Sequence, residues 1–468
     1  MLIKRSRTHE IAKWTFEKPA RAIVTSFLFV DIIGTLLLML PIASQNGQSL
    51  GFVNALFTTV SCTCVTGLVV VDTATYFTAF GKLVIICLIQ IGGLGLVTIS
   101  TFFMSVLRRK VGLKTRVLAQ ESSGSFSFTE LPSLLKSIIY TTFGFEFSGF
   151  ILLSTQYVPQ FGMKGGFSRA GFQAVSAFCN AGFDLMGDTN SGPFSSLTAY
   201  NDNPVVILTT AFLIISGGLG FVVWRDIFSY PKNRALRMYS KVVLSMTLLL
   251  LCIGTFFFLV AEWNNTGVQA MGTLPDWQKP FAAFFQSVTM RTAGFNSINM
   301  ANLFDHTKLM SVLLMFIGAG SGSTGGGIKV STFSVLMSTV LAEVTGKDEL
   351  VMRKHALSSS YVRRAISIFF MGLAIVVTLS MLLCVSEASA LQKKSFEYLD
   401  LLFEATSAFG TVGVSSANTP QLSTLSHIFI IPAMFLGRVG PVSFAISLAL
   451  RESNHQKNVY PEGKIQIG

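Results

Sequence analysis

Residues 52–70 read FVNALFTTVSCTCVTGLVV, an apolar run of about a dozen residues that ends in a glycine-containing turn. A helix of that length rises roughly 18 Å, against a hydrocarbon core of about 30 Å. A segment of this kind must enter a bilayer and turn back, and irregular backbone at that depth survives only inside protein or beside water. Whether it lies in a bilayer at all depends on the rest of the chain.

The composition answers that. The 468 residues are 51% hydrophobic and only 12% charged, with 42 phenylalanines and a mean hydropathy of +0.59, far from a soluble domain. The chain reads as an all-α, polytopic membrane protein. Its first apolar run, 22–42, has spanning length and no small-residue cleavage site after it, so a cleaved signal peptide is not expected. The net charge of +12 is distributed by topology: 25 of the 35 Lys and Arg fall in residues 1–21, 108–136, 225–241, 347–364 and the tail from 451. That pattern places both termini in the cytoplasm and requires no nucleic-acid partner. The six cysteines lie mostly in or beside apolar runs without paired spacing, as small hydrophobes do.

Between the basic segments one unit recurs four times: a long apolar run, a short one, a glycine turn and a second long run. The units span 22–107, 134–228, 238–345 and 362–450, flanked by cytoplasmic ends at 1–21 and 451–468. First runs lie near 22–42, 134–158, 240–261 and 364–385, and second runs near 79–107, 204–228, 308–342 and 424–450. The short runs begin at Phe52, Phe167, Lys279 and Tyr398. The pattern predicts eight membrane-spanning helices and four re-entrant pore helices around one pseudo-fourfold pore.

The turns align without gaps. They are Val65, Thr66, Gly67 and Leu68; Asn180, Ala181, Gly182 and Phe183; Thr292, Ala293, Gly294 and Phe295; and Thr411, Val412, Gly413 and Val414. Their glycines are 115, 112 and 119 residues apart, close to a quarter of the chain. Four such strands around an axis can replace the hydration shell of a monovalent cation with carbonyl oxygens, and glycine opens the backbone angles this needs. The first three residues of each turn are the expected potassium ligands.

A second alignment lies in the second long runs: Gly92-Gly93-Leu94-Gly95, Gly217-Gly218-Leu219-Gly220 and Gly437-Arg438-Val439-Gly440. Close helix packing suffices for the first two. In unit three the same place holds residues 317–331, IGAGSGSTGGGIKVS. The spacing argues against a phosphate-binding loop, since Ile328 separates Gly327 from Lys329 and no Gly-Lys-Ser/Thr triplet exists. The run from His306 to Val344 is nearly 60 Å long as helix, and five glycines within eight residues cannot sustain it. The expectation is an intramembrane gating loop, 317–329, carrying Gly318, Gly320, Ser321, Gly322, Ser323, Thr324, Gly325, Gly326, Gly327 and Lys329. Lys329 would tether it, and Arg438 would stand in the cavity as an electrostatic barrier to cations. Arg291 is expected to pair with a carboxylate such as Glu404.

CVTGL (64–68), CNAGF (179–183), RTAGFN (291–296), GSTGGGIK (322–329) and GRVGP (437–441), in four units covering about residues 20–450, resemble the Trk/Ktr/HKT superfamily of cation transporters. Trk membrane subunits carry two further helices ahead of the first unit, so the chain looks more like KtrB-type membrane subunits of bacterial Ktr potassium uptake systems. That resemblance implies a homodimer in the lipid bilayer, a cytosolic nucleotide-binding RCK ring (KtrA-like) as partner, a potassium ion in the filter and a sodium ion as activator. It implies no enzymatic activity. Serine at the first filter glycine goes with sodium preference in the plant branch; here all four are glycine, which favours potassium. A sodium-coupled symporter or a sodium-permeable member of the same superfamily is the alternative.

Overall fold

The computed structural model describes residues 19–95, 131–189, 191–347 and 349–440. The basic segments at 1–18 and 451–468, the stretches 96–107 and 441–450 that were assigned to units one and four, and most of the basic segment 108–136 lie outside them.

The described residues are mostly helical. Unit one holds α1 (Pro19–Met39), α2 (Phe52–Thr63) and α3 (Ala79–Leu94), and unit two holds α4 (Leu131–Phe178), α5 (Pro204–Leu219) and α6 (Phe221–Asn233). Unit three has α7 (Met238–Glu262), α8 (Lys279–Thr289), α9 (Asp305–Phe316) and α10 (Val330–Val344). A two-residue hairpin, β1 (Val351–Met352) with β2 (His355–Ala356), leads to unit four: α11 (Ser359–Ser386), α12 (Tyr398–Gly410) and α13 (Thr424–Val439). Local chemistry fixes the starts: Thr78, Asn203 and Ser423 accept the backbone N–H three residues on, and Glu397 with Asp400 forms a capping box on α12.

In unit two, the first long run and the short helix were expected to be separated by an outside stretch. The range α4 holds both, two helices that meet at a break in helical backbone at Gly162 (φ 70°) with no longer stretch between them. The second long runs each meet a glycine stop. α3, α5 and α13 stop at Gly95, Gly220 and Gly440, whose φ values of 79°, 93° and 91° are open to glycine and closed to a continuing helix. α6 leaves α5 at 96°. Three helices among the described residues have spanning length and hydropathy, and the bent α5–α6 pair makes a fourth. Glycine thus interrupts the second long run of units two and three, while in units one and four the helix ends at a glycine and the rest of the run lies outside the described residues.

The packing closes a ring. One apolar core joins units one and two (Ile85, Phe172), another units two and three (Ile214, Phe285), a third units three and four (Leu314, Phe403), and a fourth returns to unit one (Phe57, Leu401). The polarity is that of a protein in lipid: Phe147, Leu248, Phe256 and Met381 are more than 60% exposed on the outside, whereas Ser61, Ser176, Thr289 and Ser407 are fully buried near the axis.

Candidate functional site

At the axis the four glycine turns share one backbone. Val65, Asn180, Thr292 and Thr411 have φ of 54°, 57°, 68° and 50°, and two residues later Gly67, Gly182, Gly294 and Gly413 have φ of 93°, 73°, 85° and 94°. The left-handed region costs an L-residue roughly 1–2 kcal/mol, so four such residues in register mark a built feature. A methyl group on Gly67 would lie 2.7 Å from the Ala181 carbonyl oxygen, on Gly182 2.9 Å from that of Ala293, on Gly294 2.8 Å from that of Val412, and on Gly413 2.1 Å from that of Thr66. Each glycine therefore faces the next turn's middle carbonyl, and the sequence of contacts closes on itself.

Hydroxyls at the ends of the short helices hold these turns. Ser61 donates to the Leu68 carbonyl, Ser176 to that of Phe183 and Thr289 to that of Phe295, each accepting residue directly following the glycine. Ser61 and Ser407 also accept the N–H of Gly67 and Gly413, both at 3.1 Å. Sequence reasoning missed these residues, although a Ser or Thr five or six positions before each glycine was there to be read.

All four glycines floor a funnel of about 330 Å³ whose wall includes Asp72 and Asp184. Asp72 accepts from Thr75 and from the Phe194 N–H of the next unit, which ties the outer loops together. Burial pushes the Asp184 carboxyl up to about 6, against the Met186 N–H that lowers it and with a further push from the Asp72 charge.

Beneath the ring lies the 317–329 loop. Its ends form a parallel bridge between Ile317 and Ile328, with Gly318 N–H donating to the Ile328 carbonyl at 2.8 Å. The Gly320 and Thr324 N–H groups donate to the Gly218 and Gly217 carbonyls, and Phe221 N–H to the Gly322 carbonyl, so the loop completes the broken end of α5. Ser321 meets Ser331 at 2.9 Å and its carbonyl takes the Tyr239 hydroxyl. The Thr324 hydroxyl donates to the Phe178 carbonyl or the Asn180 side-chain oxygen, both at 3.1 Å. A methyl on Gly325 would lie 2.1 Å from the Thr292 hydroxyl and one on Gly326 2.2 Å from that of Thr411. The apex thus sits against the first residue of three of the four turns. Lys329 Nζ donates to the Gly325 carbonyl at 2.6 Å, and Gly327 turns the chain at φ 65°. The hydroxyls of Thr66, Thr292, Thr411 and Ser323 have no protein partner.

Arg438 donates to the carbonyls of Thr324, Gly92 and Gly93, joining the loop to the end of α3; among the described residues it makes no ion pair. The expected pair of Arg291 with Glu404 does not form. Glu404 is satisfied by Ser415 and Thr419 hydroxyls at 2.6 Å, while Arg291 reaches the Thr247 and Gly318 carbonyls. Buried Asp31 takes the Thr63 hydroxyl, and buried Glu146 takes the Gln90 amide at 3.0 Å.

The architecture is that of a multi-pass helical membrane protein with four tandem units closed around one axis. The chain belongs to the TrkH family of cation transport proteins, whose family model matches residues 2–458. It is 38% identical to the Ktr system potassium uptake protein B of Bacillus subtilis over 98% of this chain and 99% of that one. It is 37% identical to the potassium/sodium uptake protein NtpJ of Enterococcus hirae, over 96% of this chain and 97% of that one. The crystal structure of the potassium transporter TrkH from Vibrio parahaemolyticus matches with a TM-score of 0.69 at 16% identity, covering 95% of this chain and 87% of that one, a likeness of fold.

Proposed function

We propose that the chain is the membrane subunit of a potassium uptake system, conducting potassium through the ring of four glycine turns. The observation that carries this is the repeated pair of left-handed residues, which brings four turns face to face around one axis at the floor of a funnel. Carbonyls of Val65, Thr66 and Gly67 and of their three counterparts would replace water around the ion. The loop 317–329 is the gate: as folded it fills the space beneath the ring, pinned by Arg438, Lys329 and Thr324. Its bonds are hydrogen bonds, backbone to backbone and backbone to side chain, which a modest free energy can exchange for water.

Regulation by a cytosolic RCK ring, homodimerisation and activation by sodium belong to the same reading. The name of the Ktr relative supports a multi-component system, and Lys232 at the end of α6 with Arg353 and Lys354 at the hairpin turn offer the ring a charged face. A sodium-permeable pore is the second reading, favoured by the name of the Enterococcus relative.

The test is uptake of potassium, rubidium and sodium by potassium-uptake-deficient cells expressing the chain with and without an RCK partner. Potassium and rubidium uptake that loses selectivity in Gly67→Ser and rises on deletion of Ser321–Gly326 is the expected result. Equal sodium and potassium uptake by the unaltered chain selects the second reading, and no cation flux despite membrane insertion overturns both.

A further inference from the structure

We propose that a single water molecule occupies a small pocket between Arg291 and Thr247 and links the third glycine turn to the hinge of the 317–329 loop. Arg291 sits between the end of α8 and the turn residue Thr292, and only 7% of it is exposed. Its guanidinium makes two long hydrogen bonds, 3.3 Å to the Thr247 carbonyl and 3.4 Å to the Gly318 carbonyl. Among the described residues it makes no ion pair, and its Nε–H has no partner. The Thr247 hydroxyl, on a residue of α7 that is 8% exposed, is equally without a partner.

The two residues that carry these orphan groups line the same cavity, with Ile214, Ile215, Leu251, Val288, Gly218 and Ala319 as the rest of its wall. It gives the centre of a water-sized sphere about 20 Å³, and one water needs roughly 10–15 Å³. Buried polar atoms without partners call for a bound group. Nε–H can only donate and a threonine hydroxyl can do either. Water accepts from the first and exchanges a hydrogen bond with the second; a halide offers acceptor chemistry too, but it is larger than water.

The pocket's position gives the water a consequence, which rests on reading the loop as a gate. Ala319 forms part of the wall and Gly318 takes the Arg291 bond, so the pocket is complete only while the loop is seated. Withdrawal of the loop opens it, and the water therefore stabilises the seated state.

The experiment compares the full-length protein with Thr247→Val, which keeps the shape and removes the hydroxyl, and Thr247→Ser, which keeps the hydroxyl. Crystal structures resolving ordered water, grown in chloride and in bromide, are expected to show a peak bonded to Arg291 Nε and Thr247 Oγ1, without a bromide anomalous signal. The peak should persist in Thr247→Ser and vanish in Thr247→Val. Rubidium uptake without the partner should rise about three- to tenfold in Thr247→Val, the scale of one lost hydrogen bond, and stay unchanged in Thr247→Ser. An empty pocket or a bromide signal overturns the water site. A lost water with unaltered flux overturns its link to the hinge, provided that deletion of Ser321–Gly326 raises flux; no rise in that deletion overturns the gate itself.

Discussion

Gly413 and Gly67 occupy equivalent positions but not equivalent space. A methyl group would approach a facing carbonyl to 2.1 Å at Gly413 and 2.7 Å at Gly67, and either position adds left-handed strain of roughly 1 kcal/mol or more. Gly413→Ala should therefore reduce rubidium uptake more than Gly67→Ala, at equal membrane abundance; equal losses would mean that the ring yields uniformly. At the funnel wall, the folded-state Asp184 carboxyl lies at about 6 against an ordinary 3.8. The folded protein thus holds a proton that the unfolded chain has released between those values. Burying the charge costs stability above pH 6, and that cost fades as pH falls toward 4. Transport runs the other way: protonation removes a charge that draws cations to the mouth. Uptake should fall as external pH drops through about 6, and Asp184→Asn should flatten that segment of the profile. A profile unchanged by the substitution would remove Asp184 from cation recruitment. The glycines were legible in the sequence because their period is a quarter of the chain. The tethers Ser61, Ser176, Thr289 and Ser407 recur at nearly the same offset before each glycine, but their role was not legible, because the carbonyl or N–H that each holds leaves no mark in the sequence.

At the scale of the element, the 317–329 loop was legible from composition, since a run of glycines inside an over-long apolar stretch has no helical solution. What it touches was not. Arg438 looked like a free charge beside a cavity, yet its fork bridges the Thr324 carbonyl and the carbonyls closing α3. Carbonyl partners carry no sequence signature, whereas a carboxylate partner does, which is also why Glu404 was the wrong match for Arg291. The glycine dyads ending α3 and α5 were read as packing surfaces for the same reason. They do pack, a methyl on Gly92 or Gly217 lying 2.1 or 1.9 Å from the Thr63 or Phe178 carbonyl oxygen, but the next glycine but one ends the helix. The Arg438 bridge gives a prediction. Arg438→Gln is too short to span both loop and helix, so the seated loop loses charge-assisted bonds of about 1.5–3 kcal/mol. Partner-independent rubidium uptake should rise by about tenfold or more, while selectivity over sodium stays as in the unaltered chain because the ring is untouched. Loss of selectivity in this variant would place Arg438 in the filter rather than in the gate.

For the whole molecule, the fourfold recurrence of the unit was legible, whereas the order in which the units meet is set by the packing. The seams were not, because residues that meet across them are about a hundred positions apart and follow no pattern. The seam between units three and four carries a nearly buried ion pair: Lys308 on α9 lies 2.7 Å from Asp400 on α12, with side chains 8% and 11% exposed. The two ends differ in what else holds them. Asp400 also accepts the Ser416 hydroxyl and, through its other oxygen, the Glu397 N–H, whereas Asp400 is the only carboxylate paired with Lys308 among the described residues. Removing the lysine leaves a carboxylate that is still hydrogen-bonded; removing the carboxylate leaves a buried ammonium unpaired and uncaps α12. Breaking a buried pair costs about 3–5 kcal/mol, so Asp400→Leu should lower the unfolding temperature of the purified protein in detergent more than Lys308→Met does. The double variant should recover part of the Asp400→Leu loss, because no unpaired charge remains. Since Asp400 holds Ser416, which lies three residues beyond Gly413 on the funnel wall, Asp400→Leu should also weaken potassium selectivity, and Lys308→Met should leave it close to that of the unaltered chain. Equal thermal losses in the two single variants would show that the pair acts as one unit, with the Ser416 and Glu397 bonds adding nothing to the seam.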